Sequence, residues 1–380
     1  MFSLTRATLA WLVFASAMPA VAQALPKAYT VTATLQAPAG AFNLSAIGLN
    51  ELGQTSGGTT LKTGTGSKLV YTGGRWQVVS YDLIRAQATI WSATGAPTVL
   101  KPLSSGARAY AGRLNDQGWA TGASYKLFDN SNGVAVLWLD GKVIDLGAGA
   151  KTFGDVVNNQ GWVLGSKDAT SGGSDAGNHF VWHDKTLQWL RPNLAGVSNL
   201  VCLGFLSDAG AVPCRSDTNN FSPESGTSST TYRGFVWAAG VFTEMVYPEA
   251  ASVLPYAMSR SGVVAGIIQQ TGKPDRAFVW RDGVWSLMPD VSSTGTVSSV
   301  RSVNDSATVL LSVTTAARGF KNLMWRGNEV VDIAPLVPGL EAGENANVSR
   351  INNRGQLLTD VIGANQVTTR TVVLTPVAAQ

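Results

Sequence analysis

The chain has 380 residues, of which only 14% are charged, and a formal net charge of +4. The basic residues are scattered, so the clustered patch that nucleic-acid recognition requires is not present. No apolar run is long enough for a transmembrane helix, and no Pro/Ser linker or charge run divides the chain, whose length suits one large β domain.

Residues 1–22 read as a signal peptide. Arg6 is the only early charge, residues 9–17 are apolar, and Ala20-Val21-Ala22 is an A-x-A cleavage site. Removing Arg6 lowers the formal charge by one. This predicts a secreted or periplasmic protein with a single domain over residues 23–380. Next comes Tyr29-Thr30-Val31-Thr32-Ala33-Thr34-Leu35, a run that matches the last strand of the repeat described below, not its first.

The rest of the chain repeats one phrase in two halves. An apolar strand ends in Asn or Ser, and two variable residues lead to Gly53, Gly118, Gly161, Gly210, Gly262 or Gly355, with Ala307 in that place once. The second half ends in Trp91, Trp138, Trp182, Trp237, Trp280 or Trp325, with Leu374 in a seventh copy. Asn or Ser at the first position of a turn bonds its own backbone, and Gly at the fourth accepts positive φ, which describes a hairpin closed by a type I turn. Asp140-Gly141 and Asp282-Gly283 read as primed hairpin turns after the tryptophan strand. Each unit is therefore four antiparallel strands, the blade of a β-propeller. The last unit is one strand short and the N-terminus carries a spare. The expected fold is all-β: a seven-bladed β-propeller of four-stranded antiparallel blades, its ring closed by the N-terminal strand completing the last blade. In the first unit, residues 69–79 form an extra hairpin, read as an insertion, with the third and fourth strands of that blade as the alternative. The tryptophans recur inside strands, so they are expected to be core and not a sugar-stacking platform.

The phrases Ile351-Asn352-Asn353-Arg354-Gly355-Gln356, Arg276-Ala277-Phe278-Val279-Trp280 and Gly141-Lys142-Val143-Ile144-Asp145-Leu146-Gly147 resemble the bacterial extracellular HAF-repeat family, named for a His-Ala-Phe run before the tryptophan. The resemblance spans essentially the whole mature chain. The run is degenerate here: His179 sits one place late, and Arg233 or Arg276 stands in elsewhere. It implies secretion and a propeller-like array, and it assigns no general activity or catalytic residue.

Cys202 and Cys214 lie symmetrically about Asp208 on the two strands of one hairpin, close enough to bridge in an oxidising compartment. There is no G-x-S-x-G motif. The two histidines, His179 and His183, share a strand face over ~13 Å apart and cannot chelate one metal. No cofactor is expected. Calcium stays open through two oxygen-rich loops, Asp129-Asn130-Ser131-Asn132-Gly133 and residues 168–175, neither with EF-hand spacing. The candidate ligand-binding residues are charges near the ends of innermost strands: Arg113, Asp155, Arg301 and Arg350. They either line an anion-friendly central pocket or pair between blades, because a lone buried charge is costly.

The segments joining second to third strands are long, at residues 124–133, 166–178 and 216–233, whereas the other turns are tight. Function tends to concentrate on loops over a rigid scaffold. The leading expectation is a monomeric binding module that holds a glycan or a cell-surface protein through this face. The alternative is a polysaccharide lyase or glycosidase using charges near the channel, and a third is a structural envelope component.

Overall fold

The phrase that repeats in sequence folds the same way seven times. In each copy the fourth turn residue donates its N–H to the carbonyl of the first, at 3.0–3.2 Å, from Gly53 to Asn50 through Gly355 to Asn352. The fourth residue has positive φ in every copy, including 59° at Ala307, the one of these seven turns in which a methyl group takes the glycine's place. These turns join the innermost strand of each sheet to the second. The computed structural model describes residues 24–126, 132–168, 178–222 without 193, 196 and 198, 227–316 and 319–377. The proposed signal peptide lies outside them.

The described strands form seven four-stranded antiparallel sheets arranged propeller-like. The innermost strands are Ala41–Leu49, Ala109–Leu114, Thr152–Val157, Asn199–Cys202, Ser252–Met258, Thr296–Val303 and Asn345–Ile351. Strand order within each sheet follows the chain, except that Tyr29–Thr34 is the outermost strand of the seventh sheet, beside Thr368–Pro376. Its register is Tyr29↔Pro376, Val31↔Leu374 and Thr34↔Val372.

The expected ring closure is corrected by this topology. No sheet is closed into a ring: all seven are open, each with two edges. Neighbouring sheets meet through side chains and turn hydrogen bonds, not through paired backbone edges, so strand pairing stops at four strands each time. The N-terminal strand has the narrower role of fourth strand in one open sheet.

The first sheet also differs from expectation. Residues 69–79 are neither a separate insertion nor the third and fourth strands. Strands Thr55–Thr72 and Arg75–Trp91 run on past the sheet as one long hairpin, in continuous register apart from an irregularity between Lys62 and Gly64. The outer strand of that sheet is Pro97–Val99. Residues 216–233 likewise consist largely of hairpin, because Val212–Ser222 and Thr227–Ala238 pair from Val212↔Trp237 to Ser222↔Thr227.

Packing between sheets explains the composition of each strand. Phe180, Phe235 and Phe278 are fully buried on third strands, as are Trp91 and Trp325, while Trp182 and Trp280 are only half-buried. The indole N–H groups of Trp91 and Trp138 donate to the carbonyls of Gln36 and Lys101, both at 2.7 Å. Each large apolar body is thus buried with its polar tip satisfied. Innermost strands are crowded. A Cβ on Gly112 would run into the carbonyl oxygens of Gly154 and Asp155 in the next sheet. Cys202 and Cys214 are cross-strand partners and form the disulfide, buried in an aliphatic and aromatic cluster.

Candidate functional site

The turn asparagines build the axial face. The Asn50 side-chain oxygen accepts from its own turn, at Leu52 N and Gln54 N, while its amide nitrogen donates to the carbonyl of Asn115, 2.9 Å away in the next sheet. The same reach recurs from Asn115 to Asn158 O (3.0 Å), Asn158 to Ser207 O (2.7 Å), Asn304 to Asn352 O (3.1 Å) and Asn352 to Asn50 O (2.9 Å). A carboxamide carries its acceptor oxygen and its donor nitrogen on separate atoms, so it can serve its own turn and the next sheet at once. Where the repeat has Ser207 and Ser259, the hydroxyl still accepts from its own turn, at Ala211 N and Val263 N. There the crossing passes to the neighbours: the Asp208 N–H donates to the Arg260 carbonyl at 2.7 Å, and the Ser261 N–H to an Asp305 carboxylate oxygen at 2.7 Å.

The second turn position makes a rim outside these asparagines: Glu51, Asp116, Asn159, Asp208, Arg260, Asp305 and Asn353. These side chains bond to one another and to adjacent turns. Asn159 donates its amide to Asp116 at 2.8 Å, and Asn353 to Asp305 at 2.7 Å. Arg260, the one cation among the seven, bridges Asp116 at 2.5 Å, Asp208 at 3.1 Å and Glu51 at 3.7 Å. Burial pulls the Arg260 guanidinium down, but the three carboxylates outweigh it and hold it above its ordinary value.

Inside the rim is an axial cavity of about 110 Å³, floored by Arg113, Phe205 and Arg350. The bulges of the innermost strands position this floor. The pairing register slips across Gly112 and Arg113 in the second sheet, at Asp155 in the third, at Arg301 in the sixth and at Ser349 in the seventh. An extra residue on one strand re-aims its side chain, here toward the axis or the neighbouring sheet. Arg113 lies over the Phe205 ring at 4.0 Å and donates to the Gly204 carbonyl. Arg350 lies 5.6 Å from the same ring and donates to the carbonyls of Ile47 (3.0 Å) and Ser349 (2.7 Å).

Of the four charged residues singled out from sequence, Arg113 and Arg350 meet across Phe205. Asp155 sits behind Arg113, facing Gly204. Desolvation raises its carboxyl to about 6, against the opposing effects of a hydrogen bond to Ser166 and the charge of Arg113. Desolvation also lowers Arg350 to about 10, with Arg301 adding repulsion. Arg301 stands apart from the cavity and donates to the Ser312 hydroxyl at 2.9 Å. Phe205 was missed by sequence reasoning. It stands two residues before Ser207, as Arg113 and Arg350 stand two before Asn115 and Asn352, and that shared place in the repeat was the available signal.

The two histidines occupy separate environments. His183 stacks on Trp162 at 4.2 Å, and the His179 Nδ1 accepts from Cys202 N at 3.5 Å. Among the described residues no group of three or more His, Cys, Asp or Glu is arranged to hold a metal ion, and no helix is long and apolar enough to cross a membrane. The calcium candidates at 129–131 and 169–175 lie outside the described residues.

No protein-family model matches the sequence. No curated protein matches it. Solved structures do match. The β-propeller domain of the trilobed protease of Pyrococcus furiosus, which has an open velcro topology, aligns at TM-score 0.50 with 10% identity, over 87% of this chain and 95% of that one. A virginiamycin B lyase of Staphylococcus aureus aligns at 0.45 with 11% identity, over 88% and 99%. A Xanthomonas campestris gluconolactonase aligns at 0.35 with 15% identity, over 68% and 82%. The first of these supports a propeller-like fold related to other propeller proteins, and at this identity it speaks to fold alone.

Proposed function

We propose that the protein is a secreted or periplasmic binding module, monomeric, that holds a glycan or a cell-surface protein through the face carrying the connections between second and third strands. The observation that carries this reading is the contrast between the two faces. One is tied by seven tight turns whose polar groups are spent on each other. The other bears the hairpins extended from the first and fourth sheets, and strands Ala120–Ser124 and Val163–Lys167 end toward it. A rigid base with variable extensions on one side suits recognition.

The axial charges favour a structural role over catalysis. Arg113 and Arg350 donate to backbone carbonyls, and the cavity they floor is about 110 Å³, far below the several hundred Å³ of an ordinary ligand pocket. The lyase or glycosidase alternative therefore loses its arginines. The signal peptide over residues 1–22, the domain over 23–380 and the HAF-like phrases belong to the same proposal, and a buried disulfide accords with an oxidising compartment.

The test is a glycan array and an envelope-extract pull-down, run with the wild-type protein and with variants whose residues 168–177 and 217–232 are each replaced by a tight turn. Retention of a ligand by wild type and its loss in these variants supports the proposal. A ligand held equally by both, or none held at all, contradicts it.

A further inference from the structure

The hairpin of the first sheet leaves the body of the protein. Pairing with the innermost strand ends at Ala41↔Leu61, and pairing with the outermost strand covers only Thr89 to Trp91. From Gly64↔Leu83 to Thr72↔Arg75 the two strands pair with each other alone. Nine residues per strand carry the ribbon ~30 Å outward.

Just behind the polar turn Thr72-Gly73-Gly74-Arg75, one face of the ribbon is apolar. Leu69, Tyr71, Trp76 and Val78 are 65%, 60%, 67% and 70% exposed. They form two cross-strand pairs, Leu69↔Val78 and Tyr71↔Trp76, two registers apart and hence on one face. The other face adds Val79, Tyr81 and Leu83, each more than 40% exposed. Soluble surfaces rarely leave such a contiguous group in water without an occupant.

Three features identify that occupant. First, apolar residues stand on both faces of a two-stranded ribbon, which a lipid surface can surround and a flat protein partner cannot. Second, the ribbon and its base carry Lys62, Lys68, Arg75 and Arg85 against Asp82, and Asp82 is paired with Lys62 at 2.6 Å. Lys68 and Arg75 thus bring positive charge to the tip, as anionic headgroups require. Third, the Tyr71 and Trp76 rings meet edge-on, at 5.3 Å and 62°. That pair offers no flat platform for a sugar ring, whereas Trp and Tyr are the residues that favour the membrane–water boundary. The outer edges of a lone hairpin keep unpaired N–H and C=O groups, which hydrocarbon does not tolerate. Seating is therefore shallow, and the two apolar pairs span ~7 Å along the ribbon, comparable with interfacial depth.

We propose that the hairpin of residues 64–83 is a membrane-surface anchor, with Leu69, Tyr71, Trp76 and Val78 seated in the interfacial region of an anionic bilayer and Lys68 and Arg75 against its headgroups. The experiment is co-sedimentation of the protein, as processed by an exporting host, with vesicles of phosphatidylglycerol and phosphatidylcholine and with phosphatidylcholine alone. The wild type should bind the anionic vesicles at least tenfold more tightly than the neutral ones, and lose that preference in high salt. Leu69→Ser with Trp76→Ser should weaken binding to the mixed vesicles at least tenfold at an unchanged melting temperature, and Lys68→Gln with Arg75→Gln should remove the anionic preference. No vesicle binding by wild type, or equal binding by the Ser variant, overturns the proposal. So does a wild-type dimer that the Ser variant loses without any vesicle binding, which would make the occupant a second copy. None of these outcomes bears on the loop variants of the previous section, so the two proposals fail separately.

Discussion

Replacing Asn352 tests the physical basis of the axial face. Its side chain is buried, at 4% exposure. The oxygen accepts from Arg354 N at 3.1 Å and Gln356 N at 2.9 Å, and the amide donates to Asn50 O at 2.9 Å and Gln356 Oε1 at 2.8 Å. Asn352→Ala leaves the Arg354 and Gln356 N–H groups without this acceptor, while the Asn50 carbonyl keeps the Gly53 N–H at 3.2 Å. At about 1–3 kcal/mol for each buried group left unmade, with partial relaxation, the loss is about 3 kcal/mol. Asn352→Ser separates the two roles, because the repeat itself places Ser207 and Ser259 there with the hydroxyl still accepting from the turn. It removes only the amide's donations, to the first sheet and to Gln356 Oε1, and should cost about 1–2 kcal/mol, the net worth of one or two hydrogen bonds. Urea unfolding of the three proteins, with exchange of the Gln356 amide followed alongside, measures both. If Ala falls within about 0.5 kcal/mol of wild type, the range of featureless surface changes, or if Ser costs as much as Ala, the division into turn acceptor and crossing donor is wrong.

Ala307→Gly should stabilise by about 0.5–1 kcal/mol, because relief of the left-handed strain at φ 59° exceeds the entropy gained by the unfolded chain; a lower urea midpoint contradicts this. Burial pushes the Asp155 carboxyl up to about 6, above its ordinary 3.8, so folding favours its protonated form. Its contribution is most favourable below the unfolded value and declines as pH rises through that window, by on the order of 3 kcal/mol. The urea midpoint of Asp155→Asn relative to wild type should therefore rise between pH 4 and pH 7, and a constant difference would refute the assignment. Replacing Cys202 and Cys214 together by Ala should cost about 3 kcal/mol, from the loop that their separation of 12 residues closes; an unchanged melting temperature would count against the bridge as a stabilising element.

The turn chemistry was readable because it is local. Asn at the first position and Gly at the fourth belong to one hairpin, so Ala307 was identifiable as the odd copy from sequence alone. Cys202 and Cys214 were readable for the same reason, lying at mirrored distances from one turn. The crossing amides were not, since the partner of Asn352 is the carbonyl of Asn50, at the far end of the chain. Arg113, Asp155 and Arg350 could be placed near the axis by their position on innermost strands, but the capture of the two arginines by carbonyls and of Asp155 by Ser166 depends on bulges that shift register by a residue. Phe205 carries no charge and lies past the end of its strand, so nothing but the repeat alignment marked it. The hairpin of residues 64–83 was segmented wrongly because its strands continue those of the sheet with only one slip in register, near Lys62.

Recognition on the loop face and structure at the axis are separated by one measurement. The affinity of a captured ligand should be compared among wild type, the variant with residues 217–232 replaced by a tight turn, and Phe205→Leu, which disturbs the axial floor. Loop replacement should lower affinity at least tenfold while Phe205→Leu binds as wild type does. Loss of binding in Phe205→Leu at an unchanged melting temperature, with the loop variant unaffected, would contradict this and move the site to the axis.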